Sequence, residues 1–223
     1  MRDSELNPWW IGGVAITGPL LRLLFRFRTE GAEHVPAHGP ALLAFNHVSV
    51  LDGPCLAIET ARLRRREVRF LVAAELFDRR LVGWILRRFD QIPIRRGAGD
   101  DHALDRAIAV VRGGAVAAIS PEGRVNEDPG AGLQRIRSGI ARIALPAASP
   151  IVPVGIWGTQ VRWPRTGLRI RPPWRPLLAF SYGPPVVPVG HAADPEEADA
   201  LLDRIAAAIG AQVERARAMA GHP

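Results

Sequence analysis

An α/β fold is predicted for this chain: a single domain with a mixed, largely parallel sheet flanked by helices, preceded by an N-terminal interfacial helical segment. Three observations carry that prediction. Short apolar runs alternate with amphipathic helical repeats along the chain. No linker, internal repeat or low-complexity tract interrupts its 223 residues, a length that buries one substantial core. The two segments richest in reactive side chains, after Phe45 and after Ile119, each leave an apolar run directly, and ligands of open α/β sheets gather beyond the carboxyl ends of strands.

The elements follow in order. Residues 9–21 (WWIGGVAITGPLL) carry no charge, but the stretch is shorter than the roughly 20 residues a spanning helix needs and contains Gly12, Gly13, Gly18 and Pro19. No basic region precedes it, as a signal peptide requires. Paired tryptophans, then leucines interleaved with Arg22, Arg26 and Arg28, fit an interfacial segment; a helix packed on the core is the alternative. This sets a boundary between a membrane-interfacial segment, residues 1–28, and an α/β domain, residues 29–223. Residues 40–45 (PALLAF), 68–72, 91–94, 115–119 and 151–156 read as strands. Phe77, Leu81, Trp84, Ile85 and Phe89 recur at helical spacing. Asp100 or Asp101 caps a helix that Gly113 and Gly114 end, and residues 136–145 form another. The Pro- and Trp-rich residues 162–188 are expected to hold a strand pair near 168–170 and 177–181. The last helix has Asp194 as its cap, Pro195 at its first position and Glu197 completing a capping box.

Composition narrows the functional classes. Apolar residues make up 48% and charged residues 23%, which excludes global disorder. One cysteine, Cys55, excludes a disulfide framework and a cysteine-based zinc site, and suits a reducing cytoplasm. The net charge is +7 and all 29 basic residues are arginine, a balance that favours anionic surfaces. The densest run, Arg62, Arg64, Arg65, Arg66 and Arg69, fits a solvated face as well as such a contact. No nucleic-acid recognition motif is present, and there is one tyrosine, so nucleic acid is not expected as a partner.

His47 and Asp52 stand five residues apart. That offset puts them on opposite sides of a strand and off one face of a helix, so they meet only if the chain turns between them. Gly53 and Pro54 mark a helix start just there. If they meet, the carboxylate fixes the imidazole tautomer and leaves the other ring nitrogen to take a proton from a hydroxyl. No G-x-S-x-G elbow occurs, so that hydroxyl is expected to belong to the substrate. Ser49 or Ser120 as nucleophile is the alternative. In Ser120-Pro121-Glu122-Gly123-Arg124, Gly123 permits close approach of backbone to a ligand, and Arg124 offers a planar fork to a phosphate.

Four ordered blocks across residues 25–159 resemble the glycerophospholipid acyltransferase family, typified by 1-acylglycerol-3-phosphate acyltransferases. Asn46, His47 and Asp52 match its N-H-x-x-x-x-D block. Residues 90–96 (DQIPIRR) match G-x-I-[FP]-[IV]-x-R, with Asp90 in place of glycine. Pro121, Glu122, Gly123 and Arg124 match [FY]-P-E-G-[TR], with Ser120 in place of the aromatic, and residues 151–156 match a V-P-V-G-like strand. The resemblance implies His47 as general base and Asp52 as its orienting partner. It also implies Arg96 as phosphate clamp, Asn46, Glu122 and Gly123 at the acceptor site, and Arg124 as a second clamp. It further implies an O-acyltransferase of phospholipid biosynthesis, needing no metal or cofactor. Its acyl donor is acyl-CoA or acyl-carrier protein, its acceptor a lysophospholipid with 1-acylglycerol-3-phosphate foremost. An anionic membrane surface is the expected partner and the cytoplasmic face of the cell membrane, peripheral or monotopic, the expected location. A noncatalytic membrane-binding module and a thioesterase using the same pair are the competing readings.

Overall fold

In the computed structural model, residues 6–95, 97, 99–170 and 172–221 are described. The apolar runs pair into one seven-stranded sheet. Its strands are β1 (Arg26–Glu30), β2 (Ala41–Phe45), β3 (Val68–Ala73), β4 (Ile92–Ile94), β5 (Val116–Ile119), β6 (Ile151–Trp157) and β7 (Leu177–Tyr182), in the order β1-β7-β6-β2-β5-β3-β4. Every pairing is parallel except β6 with β7. The central strands β2, β5 and β6 are buried along their whole length, as expected of a sheet covered on both faces. The mixed, largely parallel sheet is therefore as predicted.

Among the described residues the α-helices are α1 (Pro8–Leu24), α2 (Asp52–Arg64), α3 (Arg80–Arg88), α4 (Asp101–Arg112), α5 (Gly139–Ala147) and α6 (Pro195–Met219). On one face α1 and α2 bury Trp10, Leu21, Leu56 and Ile58; on the other α4, α5 and α6 bury Leu104, Ile140, Ile205 and Ile209. Each such side chain contributes roughly 1.5–3 kcal/mol by leaving water. Helix α6 lies directly on β6, because a Cβ at Gly155 would sit 2.0 Å from the carbonyl oxygen of Gln212. Asp194 Oδ1 caps α6 by accepting from the amides of Glu196 and Glu197. The capping box closes one turn earlier than expected: Glu197 Oε2 accepts from the amide of His191, at 2.6 Å, rather than from Asp194.

Several expectations are corrected. Residues 26–30 form a sheet strand, β1, which straddles the expected boundary at residue 28, and Trp10 and Leu21 of α1 lie in the core. Among the described residues no helix is long and apolar enough to cross a membrane. Residues 168–170 form no strand; β7 pairs with β6 and β1 instead, and Leu168 and Ile170 stand in solvent. Much of the arginine run is tied to the protein, although Arg62 and Arg65 remain exposed. Arg66 is buried and donates to the carbonyls of Pro36, Gly39 and Gly114, Arg64 donates to that of Val35, and Arg62 pairs with Glu59. Burial and the neighbouring Arg64 charge lower the Arg66 guanidinium from its ordinary value. Helix α5 starts later than expected, because Arg137 is held in a loop by its amide bond to the Pro121 carbonyl.

Candidate active site

The carboxyl ends of β2, β5 and β6 adjoin, and the chain leaving each contributes to one site. After β2 the backbone turns through residues 46–51 and enters α2 at Asp52. That carboxylate is fully buried, and Oδ2 accepts from the amides of Val48 and Ser49 at 2.7 and 2.8 Å, tying the turn shut. The turn brings the imidazole across: His47 Nδ1 lies 2.9 Å from Asp52 Oδ2. A carboxylate accepts only, so Nδ1 carries the proton and Nε2 presents a lone pair. The His47 side chain is 17% exposed, enough for Nε2 to meet a substrate while Asp52 stays dry. Thr159, just beyond β6, donates its hydroxyl to Asp52 Oδ1.

Asn46 and Glu122, expected at the acceptor site, are each bonded to the protein backbone. The Asn46 amide is buried and clamps β6, donating to the Ile156 carbonyl at 3.0 Å and accepting from its amide at 2.7 Å. With both ends engaged, it fixes the start of the turn. Glu122 Oε1 accepts from the His47 amide at 2.6 Å and Oε2 from the Gln134 amide at 3.0 Å. Burial pushes its carboxyl up from the ordinary range, partly offset by those two amide bonds. Glu122 thereby joins the segment after β5 to the histidine backbone.

Gly123 adopts φ +73°, which a side chain resists, and a Cβ there would meet Arg137 Nε at 2.8 Å. Its lack of a side chain thus admits a guanidinium. Arg124 is exposed, with Nε donating to Gln134 Oε1 at 3.1 Å. Arg96 lies outside the described residues. His47, Gly123, Arg124, Arg135 and Arg137 line one open basin of about 930 Å³, whose floor includes Leu71, Ile94 and Ile119. The basin thus sets guanidinium groups and apolar side chains along one lining beside His47. Arg135, Arg137 and Thr159 were not anticipated. The tetrad Gln134-Arg135-Ile136-Arg137 carries the only local signal, alternation of charge with an apolar residue, and it resembles a helix end as much as a site.

Asp90, where the resembled block has glycine, explains itself: its φ of +52° lies in the left-handed region, and Arg69 and Arg106 hold its carboxylate at 2.7 and 3.0 Å. Aspartate tolerates that conformation better than most residues.

A family model described as Acyltransferase matches residues 26–157. Uncharacterized proteins of Mycobacterium tuberculosis and Mycobacterium leprae are each 34% identical, over 191 and 193 residues; each match covers 78% of this chain and 49% or 47% of the relative. A lyso-ornithine lipid O-acyltransferase of Pseudomonas aeruginosa is 29% identical over 154 residues, 69% of this chain and 54% of that protein. The chain thus spans about half the length of these relatives. The crystal structure of the 1-acyl-sn-glycerophosphate (LPA) acyltransferase PlsC from Thermotoga maritima shares the fold, with a TM-score of 0.73 at 23% identity over 94% of this chain and 80% of that one. The ordered blocks, the sheet and the matched family model agree, and this chain belongs to the acyltransferase family.

Proposed function

We propose that this chain moves a fatty acyl group from the thioester of acyl-CoA or acyl-carrier protein to the hydroxyl of a lysophospholipid, with 1-acylglycerol-3-phosphate the first acceptor to test. The observation that carries this reading is the His47–Asp52 pair, dry behind and open in front, at the edge of an arginine-lined basin. His47 Nε2 removes the acceptor's hydroxyl proton as its oxygen attacks the thioester carbonyl. The tetrahedral oxyanion then collapses; the C–S bond breaks, the thiolate leaves, and the imidazolium returns the proton to sulfur. Asp52 orients the ring and stabilises the imidazolium. Asn46 and Glu122 position the turn that carries it. Arg124, Arg135 and Arg137, with Arg96 assigned by resemblance, bind the acceptor phosphate. Helix α1 rests on an anionic lipid surface at the cytoplasmic face of the cell membrane, through the exposed stripe Trp9, Ile16, Leu20 and Leu23.

Thiol release from acyl-CoA, measured with and without an acceptor panel, tests the reading. Release that requires an acceptor and disappears in His47→Ala supports acyl transfer. Release indifferent to acceptor identifies a thioesterase, and none identifies a binding module. The Pseudomonas aeruginosa relative makes lyso-ornithine lipid a second acceptor for that panel. Preference for it over 1-acylglycerol-3-phosphate transfers the arginine basin from phosphate to a carboxylate headgroup.

A further inference from the structure

We propose that the loop of residues 162–176 is a second lipid-contact element, which seats the mouth of the His47 site on an anionic bilayer. The proposal rests on the membrane-surface reading of α1 and extends it to a part of the chain whose described residues form no helix or strand.

Topology puts the loop in place. It joins β6 to the antiparallel β7, so it lies at the carboxyl end of β6, on the same sheet edge as His47. Strand β1 runs parallel to β7, so its first residue, and with it the end of α1, reaches that edge as well. Contacts join these pieces. Ser49 Oγ, within the turn between His47 and Asp52, donates to the Trp163 carbonyl at 2.6 Å. Arg165 pairs with Glu127, on the segment that follows Glu122. At its far end the loop meets α1: Arg175 Nη2 donates to the Arg22 carbonyl at 2.7 Å, and the Arg26 amide to the Pro176 carbonyl at 3.0 Å.

Its surface chemistry selects the occupant. Trp163, Leu168, Ile170 and Trp174 are 38, 55, 77 and 67% exposed, and Leu20 and Leu23 near the adjoining end of α1 are 54 and 70% exposed. Such large apolar side chains standing together in water mark a contact surface. Residues 162–176 hold five arginines and no acidic residue; Arg162 is buried and Arg165 pairs with Glu127, while Arg169 and Arg175 are exposed. Tryptophan beside arginine suits the headgroup layer, where the ring is half immersed and the guanidinium meets lipid phosphate. An acidic carrier protein would satisfy the arginines but leave Ile170 and Trp174 exposed.

Co-sedimentation of the full chain with mixed phosphatidylglycerol and phosphatidylcholine vesicles tests the proposal. Two double variants are compared, Ile170→Asp with Trp174→Asp in the loop and Ile16→Asp with Leu20→Asp in α1. Loss of the loop anchors is expected to weaken vesicle binding by about tenfold or more, the scale of removing large apolar anchors. If the loop variant binds like the parent while the α1 variant is released, the loop proposal falls and the α1 reading stands; if both bind like the parent, both fall. A second measurement is independent of folding. Brominated phospholipid should quench the parent's tryptophan fluorescence, and Trp174→Phe should remove part of that quenching. Identical quenching in the two proteins overturns the proposal, as does a loop variant that loses only its affinity for acyl-carrier protein.

Discussion

Replacing Asp52 by asparagine removes one charge while preserving the acceptors that the turn requires. An amide oxygen in place of Oδ2 still accepts from the amides of Val48 and Ser49 and from His47 Nδ1. The amide nitrogen, in place of Oδ1, donates to the Thr159 hydroxyl, which reverses its role. Two backbone donors aimed at one atom fix which way the amide points, so the imidazole keeps its tautomer. What is lost is the negative charge facing the imidazolium of the proposed transfer. At an effective dielectric near 20, two unit charges about 4 Å apart interact by about 4 kcal/mol, and the retained neutral hydrogen bond recovers part of it. A rise of about 2–4 kcal/mol in the barrier lowers kcat roughly 30- to 1,000-fold. KM should stay within about twofold, because Asp52 is wholly buried behind His47. Stability should change by under about 1 kcal/mol. Asp52→Ala provides the contrast: it strands the amides of Val48 and Ser49 together with His47 and should cost about 3–5 kcal/mol. Steady-state thiol release and urea unfolding of both variants check these figures. An Asp52→Asn protein within threefold of the parent kcat refutes the assigned role, however stable it is.

Three further outcomes follow from the packing. Gly155→Ala should destabilise the fold by about 3 kcal/mol or more, since its methyl meets the Gln212 backbone and α6 must lift from β6; a change in the urea midpoint reads this. Burial alone would raise the Glu59 carboxyl, but hydrogen bonds from Arg62 and Thr29 and the charges of Arg62 and Arg22 outweigh it and lower the value below its ordinary one. A lowered folded value means that the stabilisation is complete above the unfolded carboxylate value, about 4.3, and fades as pH falls through the folded one. Glu59→Gln should therefore be less stable than the parent by about 1–3 kcal/mol at neutral pH, with the gap in thermal unfolding closing in acid. Asp90→Gly should be neutral within about 0.5–1 kcal/mol, because relief of the left-handed backbone offsets two exposed ion pairs, whereas Asp90→Val should be clearly destabilised on the same assay.

Local physics reaches a long way into this chain, and then stops. Apolar runs long enough to be strands and too short to be helices announce β2, β5 and β6, while Asp194, Pro195 and Glu197 announce α6, because caps and periodicity act within one or two turns of chain. The meeting of His47 with Asp52 is legible for the same reason: only a turn between strand and helix satisfies their spacing, and the turn is closed by its own amides. The residues that hold the pair in place carry no such signal. Thr159 reaches Asp52 across 107 positions, Asn46 reaches Ile156 across 110 and Glu122 reaches His47 across 75. Each is an ordinary polar residue until the sheet order sets the three strand ends side by side. The same order decides that residues 26–30 form a strand rather than the end of an interfacial segment, since their alternating arginines become interpretable only beside β7. Sequence alone thus determined that His47 and Asp52 meet and the class of fold, whereas tertiary structure decided which buried groups hold that pair and which arginines face its basin. Hydrogen bonds and charges act through space, and proximity in space is a property of the assembled sheet.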